Sequence, residues 1–207
     1  LPARAGLGSS SSFAVGLLNA MNALEGRRST KQELADHAIH IEQTVLQENV
    51  GCQDQITTAY GGFNMVEFKS DGVANISPII ADPVNIQTLQ DSMLLFFTGV
   101  SRHASIITGK QIKNFSERKS ELTAMYQMVE EAVNILDRTT DPVEAFGKLL
   151  HESWMLKRSL ANAVTNNDID DVYEIGRRAG AYGGKLLGAG GGGFILFVAA
   201  SDKHAAI

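Results

Sequence analysis

From Ser9 to Leu24 the large apolar residues fall at Phe13, Leu17, Met21 and Leu24. Steps of three and four keep side chains on one helix face, so a helix is predicted over Ser9 to Leu24, closed by Gly26. A second such pattern runs from Thr30 to Leu46. Leu34, Ala38, Ile41 and Val45 line one face, and Thr30 with Glu33 has the spacing of a capping box. The pattern breaks over Asn49 to Gln55, which predicts a loop or an irregular helix start. "GGFNMVEF" and "VANISPII" then alternate with period two, as two strands joined at Asp71-Gly72.

Further along, "SMLLFFTGV" reads as a buried strand because its apolar residues are continuous. A long helix is predicted over Gln111 to Leu136, with Phe115, Leu122, Met125, Val129, Val133 and Leu136 in register. Another starts at Asp141-Pro142, a cap followed by a first-turn proline, and runs to about Ala163. Asp168 is expected to cap a shorter helix to Ala181. "GAGGGGFILFVAA" is a glycine loop feeding a strand. Helices and strands that do not strictly alternate favour an α+β architecture, with a seam near Asp82–Gln90 dividing two lobes.

Composition narrows the class. With 44% hydrophobic and 20% charged residues over 207 positions, the chain can bury a core and is not of disordered type. A net charge of -5 gives no overall basic character for nucleic acid. The longest apolar run, Phe194 to Ala200, is too short to span a bilayer. Cys52 is the single cysteine, which excludes an internal disulfide. With no leader-like segment at the start, a cytoplasmic location is expected.

Candidate chemistry begins at "GLGSSSS", Gly6 to Ser12, placed where the first helix starts. A helix N-terminus offers free N–H groups and a positive dipole end, which attract phosphate, and glycines allow close approach. The same residues also suit an ordinary serine-capped helix after a tight turn. Gly188, Gly190 and Gly193 form a G-x-G-x-x-G, but here the glycines follow a helix and open a strand, unlike a dinucleotide fingerprint. Five glycines in six residues exceed what a tight turn needs, so a close approach to that backbone is expected.

Glu42 sits at the edge of the second apolar face and Asp54 follows within "GCQDQ". A carboxylate at a buried edge needs a partner, either a cation or a proton to accept. A solvated helix glutamate and a turn aspartate are the plainer readings. Arg102 follows the strand "FFTG", where ligand-binding groups often sit, and Lys157 is spaced to face inward or to snorkel along an apolar face. His37 and His40 lack a third ligand nearby, so they do not make a metal site, and Cys52 reads as packing.

In this order the pieces resemble the GHMP small-molecule kinases, the group of galactokinase, homoserine kinase, mevalonate kinase and phosphomevalonate kinase. "GLGSSSS" resembles the group's phosphate-binding motif, "GCQDQ" the segment with its catalytic aspartate, and "KLLGAGGGGFILF" its C-terminal glycine motif. Within it, "QDQITTAYGGFN", "FFTGVSR", "HESWMLKRSL" and "GAYGGKLLGAGGGGF" are most similar to the D-glycero-D-manno-heptose 7-phosphate kinases.

The resemblance implies the remainder of an N-terminal ribosomal-S5-like lobe over 1–87 and a ferredoxin-like lobe over 88–207. It implies ATP and Mg²⁺ as cofactors. Gly6, Leu7, Gly8, Ser9, Ser10 and Ser11 would wrap the ATP phosphates, and Ser10 with Glu42 would hold the metal. Asp54 would orient or deprotonate the attacking sugar hydroxyl. Gly188, Gly190 and Gly191 would shape the floor of the substrate site, and Arg102 and Lys157 would meet the substrate's own phosphate. The expected partners are a small-molecule sugar phosphate and ATP, with neither nucleic acid nor membrane, and a homodimer is compatible with this. A fucose- or galactose-type kinase, or a binding protein on the same fold, is the alternative. Family members carry a segment ahead of the phosphate loop, so this sequence reads as the later part of such a kinase.

Overall fold

The capping box at Thr30 forms. Thr30 Oγ1 accepts from the Glu33 amide at 3.2 Å, and the Thr30 amide donates to the Glu33 carboxylate at 2.8 Å. This computed structural model describes residues 6–70, 72–100, 104–138 and 141–207, without the side chains of 104–106 and 138. Its contacts divide the described chain into two units, Gly8–Ile79 and Ile80–Ile207, with Gly6 and Leu7 grouped in the second.

The first unit holds helices α1 (Ser9–Leu24) and α2 (Lys31–Ile39), a π-helical turn (His40–Val45), helix α3 (Gln53–Tyr60) and strands β1 (Asn64–Phe68) and β2 (Ala74–Pro78). β1 and β2 pair antiparallel, Asn64 against Pro78 and Phe68 against Ala74. Position 71 of the expected turn lies outside the described residues. Val15, Leu34 and Ala38 are buried together, with Leu18 and Ala59 packed on them.

The first helix forms over Ser9–Leu24 as its spacing predicts, but its apolar stripe does not face the core. The stripe Phe13, Leu17, Met21 and Leu24 is exposed, Phe13 at 70% and Leu24 at 89%, while Ser11 and Val15 are the buried positions of α1. Which stripe of a helix turns inward depends on its packing partners, and α1 packs through the face that brings Ser11 to Glu42. The second helix also does not continue as α to Leu46. Its last turn is π-helical, with the Leu46 amide bonded to the Ile41 carbonyl at 2.9 Å. That turn leaves Val45 exposed and buries Glu42.

The second unit runs α4 (Pro83–Asp91), β3 (Met93–Phe97), α5 (Ala104–Asn114), α6 (Lys119–Arg138), α7 (Val143–Ser159), α8 (Asn167–Ala179), β4 (Gly183–Leu186) and β5 (Phe194–Val198). The strands form one antiparallel sheet in the order β3-β5-β4. Trp154 of α7, Tyr173 of α8, Leu186 of β4 and Ile195 and Phe197 of β5 close the core.

Several boundaries move for physical reasons. A lobe boundary after residue 87 would cut α4. That helix is capped by Asp82, whose side chain accepts from the Val84 amide at 2.8 Å, and Asn85 donates to the Leu136 carbonyl at 3.3 Å, within the second unit. The single helix expected from Gln111 to Leu136 is two, because Asn114 closes the first by donating its side chain to the Leu160 carbonyl at 2.9 Å. β3 covers the core with one face only: Leu94 and Phe96 pack on it, while Leu95 and Phe97 lie on the other face and stay exposed. Asn166, not Asp168, caps α8, accepting from the Ile169 amide at 2.9 Å. β4 was hidden by Gly183-Gly184, since glycine carries no strand signature.

Candidate active site

Gly8 stands at the N-cap of α1 with φ 67, a left-handed backbone that glycine adopts without strain. The first bond of α1 runs from the Ser12 amide to the Gly8 carbonyl at 2.9 Å. The amides of Ser9, Ser10 and Ser11 therefore have no carbonyl ahead of them in the helix, and they point past its start. No side chain caps this end. The serines face a carboxylate instead. Ser10 Oγ donates to Glu42 at 2.7 Å, and Ser11 Oγ donates to both Glu42 oxygens, at 3.3 and 3.1 Å.

Glu42 is only 5% exposed. The π-helical turn carries it inward, and Gln55 of α3 supplies a third donor, its Nε2 bonding to Glu42 Oε2. Among the described residues no lysine or arginine is paired with this carboxylate, and hydroxyl and amide donors stabilise its charge. Asp54, in the first turn of α3, lies against the loop: a Cβ on Gly8 would sit 3.5 Å from its Cγ. Desolvation, and then the Glu42 charge, raise the Asp54 pKa from its ordinary value. Two carboxylates and a helix N-terminus thus meet within the first unit.

The donor set suits one kind of cation. Ser10, Glu42 and the buried Gln55 Oε1, which has no hydrogen-bond partner, are hard oxygens. They match Mg²⁺ shared with phosphate oxygens better than a soft transition metal. Among the described residues no group of three or more His, Cys, Asp and Glu side chains could hold a metal alone.

Gly6 and Leu7 belong to the second unit, where they meet the other glycine motif. A Cβ on Gly188 (φ 65) would lie 2.7 Å from Gly6 Cα, and one on Gly6 (φ 78) would lie 2.9 Å from the Leu187 carbonyl oxygen. Both positions require glycine. The rest of the run is closed by the unit's own backbone. A Cβ on Gly190 would meet the Val164 carbonyl at 2.7 Å, and Gly191 lies beneath Ile107. Gly190 and Gly191 are buried and Gly188 is exposed. The close approach expected at this loop is therefore protein against protein at Gly190 and Gly191, which form no open floor. Lys157 points at the same turn, its Nζ donating to the Leu186 carbonyl at 3.4 Å and to the Gly188 carbonyl. Arg102 lies outside the described residues.

Ser9, Ser10, Ser11, Glu42 and Asp54 are thus gathered at one helix start, and Gly6, Gly188 and Lys157 at one turn. Sequence reasoning missed Gln55. Its position beside Asp54 was visible, but its burial follows from the packing of α3 on α2.

Family models cover both parts of the chain: the GHMP kinases N terminal domain matches residues 1–62 and the GHMP kinases C terminal domain matches residues 139–207. This chain belongs to the GHMP kinase family. Among curated relatives, a D-glycero-alpha-D-manno-heptose 7-phosphate kinase of Campylobacter jejuni is 29% identical over 95% of this chain and 58% of its own length. A mevalonate kinase of Thermococcus sibiricus is 28% identical over 100% of this chain and 60% of its own. Among solved structures, a D-glycero-D-manno-heptose 1-phosphate kinase from Bacteroides thetaiotaomicron superposes with a TM-score of 0.67 at 26% identity, over 99% of this chain and 56% of that one. The GHMP chain described here therefore spans somewhat more than half the length of these relatives. The α+β fold of both units is the family's. None of the described helices is long and apolar enough to cross a membrane.

Proposed function

We propose that the protein is an ATP-dependent sugar kinase that phosphorylates the anomeric C1 hydroxyl of D-glycero-D-manno-heptose 7-phosphate. The observation that carries the kinase reading is the pairing of Ser10 and Ser11 with the buried Glu42 at the open N-terminus of α1, with Asp54 against Gly8. The choice of heptose rests on the motifs shared with the heptose kinases and on the Campylobacter jejuni relative.

In this reading the amides of Ser9 to Ser11 cradle the ATP phosphates. Ser10 and Glu42 would hold Mg²⁺, which would supply charge neutralisation for the phosphates. Asp54 accepts a hydrogen bond from the C1 hydroxyl and takes its proton as the hydroxyl oxygen bonds to the γ-phosphorus. The bond from that phosphorus to the ADP oxygen breaks in the same transfer, so heptose 1,7-bisphosphate and ADP leave. The raised pKa makes Asp54 a stronger base than an ordinary aspartate. Positioning and charge neutralisation do most of the work in such a transfer.

The test is a product assay with ATP and Mg²⁺ over heptose 7-phosphate, fucose, galactose and mevalonate. ADP release that needs heptose 7-phosphate, with phosphate appearing at C1, is expected. Turnover of a neutral sugar or mevalonate with heptose 7-phosphate inert would refute the substrate. Nucleotide binding without turnover of any acceptor would favour a binding role.

A further inference from the structure

The mechanism above leaves two lysines unused, Lys157 on α7 and Lys185 on β4. Lys157 reaches the glycine turn, where its ammonium donates to the carbonyls of Leu186 and Gly188. Lys185 shares a strand face with Gly183, two residues earlier, and a Cβ on Gly183 would run into α7 at Gly147 and His151. Lys185 therefore stands on the side of β4 that faces α7, the helix that carries Lys157, and its charge acts on Lys157. Both side chains are half-buried.

Among the described residues no counter-charge acts on either lysine. Burial, and then the Lys185 charge, pull the Lys157 pKa down to about 7, and burial lowers Lys185. The neighbouring cation on α7, Arg158, is paired with Asp170 of α8 at 2.9 Å. Like charges brought together out of water are unfavourable unless an anion joins them. The turn they flank is the one whose Gly188 lies against Gly6.

We propose that Lys157 and Lys185 form the binding site for a phosphomonoester, the phosphate that the acceptor sugar already carries before transfer. The choice of ligand rests on the sugar-phosphate kinase reading, and the cation pair itself does not. Lysine serves as a point charge for phosphate, and Lys157 keeps an N–H to spare beyond its two carbonyls. A bound dianion restores the proton that Lys157 sheds when the site is empty, so binding takes up a proton. A lysine that only ties the turn to α7 has no such signature.

The experiment is isothermal titration of the full chain at about pH 8 in buffers of different ionisation heat, where a phosphomonoester is already a dianion. Heptose 7-phosphate, the same heptose without phosphate, inorganic phosphate and a non-hydrolysable ATP analogue with Mg²⁺ are titrated in turn. Heptose 7-phosphate is expected to bind with uptake approaching one proton, and the unphosphorylated sugar to bind weakly without uptake. Lys185→Met and Lys157→Met each weaken the phosphorylated sugar by about tenfold or more and leave the ATP analogue unchanged. Lys157→Arg keeps affinity and loses the proton uptake, because guanidinium does not deprotonate.

Absence of uptake in the unaltered chain, or unchanged affinity in Lys185→Met, overturns the proposal even if Lys157→Met fails to fold. Loss of ATP-analogue binding in Lys185→Met also overturns it, by assigning the site to the nucleotide. If heptose 7-phosphate does not bind but inorganic phosphate binds with uptake and depends on Lys185, the cation site stands and the heptose assignment falls. If heptose 7-phosphate is bound and phosphorylated without either lysine, the assignment stands and this site falls.

Discussion

Ser10 and Ser11 bond to the same carboxylate from neighbouring positions, yet replacing them should have opposite consequences. Ser11 is 4% exposed and its hydroxyl spans both oxygens of Glu42, at 3.3 and 3.1 Å. Ser11→Ala removes a buried hydrogen bond to a charge that water cannot replace, a loss of about 1.5–3 kcal/mol. Alanine's better helix propensity returns roughly 0.5 kcal/mol. The expected net loss is about 1–2.5 kcal/mol, on the order of 0.5–1 M in the urea midpoint.

Ser10 also donates to Glu42, at 2.7 Å, but the residue is exposed, so solvent fills in after Ser10→Ala and the loss stays below about 1 kcal/mol. Binding should follow the reverse order. Ser10 is the accessible hydroxyl at the helix start, so Ser10→Ala should weaken Mg²⁺-nucleotide binding more than Ser11→Ala. Urea unfolding followed by circular dichroism, with titration of a non-hydrolysable nucleotide on the same samples, reads both orders. A Ser11→Ala midpoint equal to or above that of Ser10→Ala would show that Glu42 is not held from the buried side.

Asp54→Asn should lower turnover by about 10²–10⁴ with little change in nucleotide affinity. The same variant should raise stability near neutral pH. A carboxyl whose folded pKa is raised is penalised when charged, and the gain should shrink as pH falls through that pKa and Asp54 itself becomes neutral; urea midpoints across an acid series check this. Gly188→Ala puts a methyl group 2.7 Å from the Gly6 backbone at φ 65 and should cost about 2 kcal/mol or more. Gly26→Ala has similar φ, 69, but open space around it, and should cost only about 1 kcal/mol, so equal midpoints would refute the close packing of Gly6 on Gly188. Thr30→Ala removes the side-chain arm of the capping box, leaving the backbone arm to Glu33, and should cost about 1 kcal/mol, checked by thermal unfolding.

Local rules determined much of this protein from its sequence. The extent of α1, the capping box of α2, the hairpin and the strand after the glycine run follow from spacing, caps and turn residues, which act within a few positions. The glycines at 6, 8 and 188 could be read as places of close approach because their lack of a side chain is itself the signal.

Only the tertiary structure decided which faces are inside. The apolar stripe of α1 is exposed and the face carrying Ser11 and Val15 is buried, because burial depends on the helix opposite and not on the periodicity of one segment. No local pattern announces the π-helical turn that carries Glu42 inward, since its extra residue per turn is stabilised by the packing around it. The roles of neighbours in the glycine run also separate only in three dimensions. Gly190 and Gly191 are closed by Val164 and Ile107, while Gly188 meets Gly6 and the Lys157 ammonium, which lie far from it along the chain.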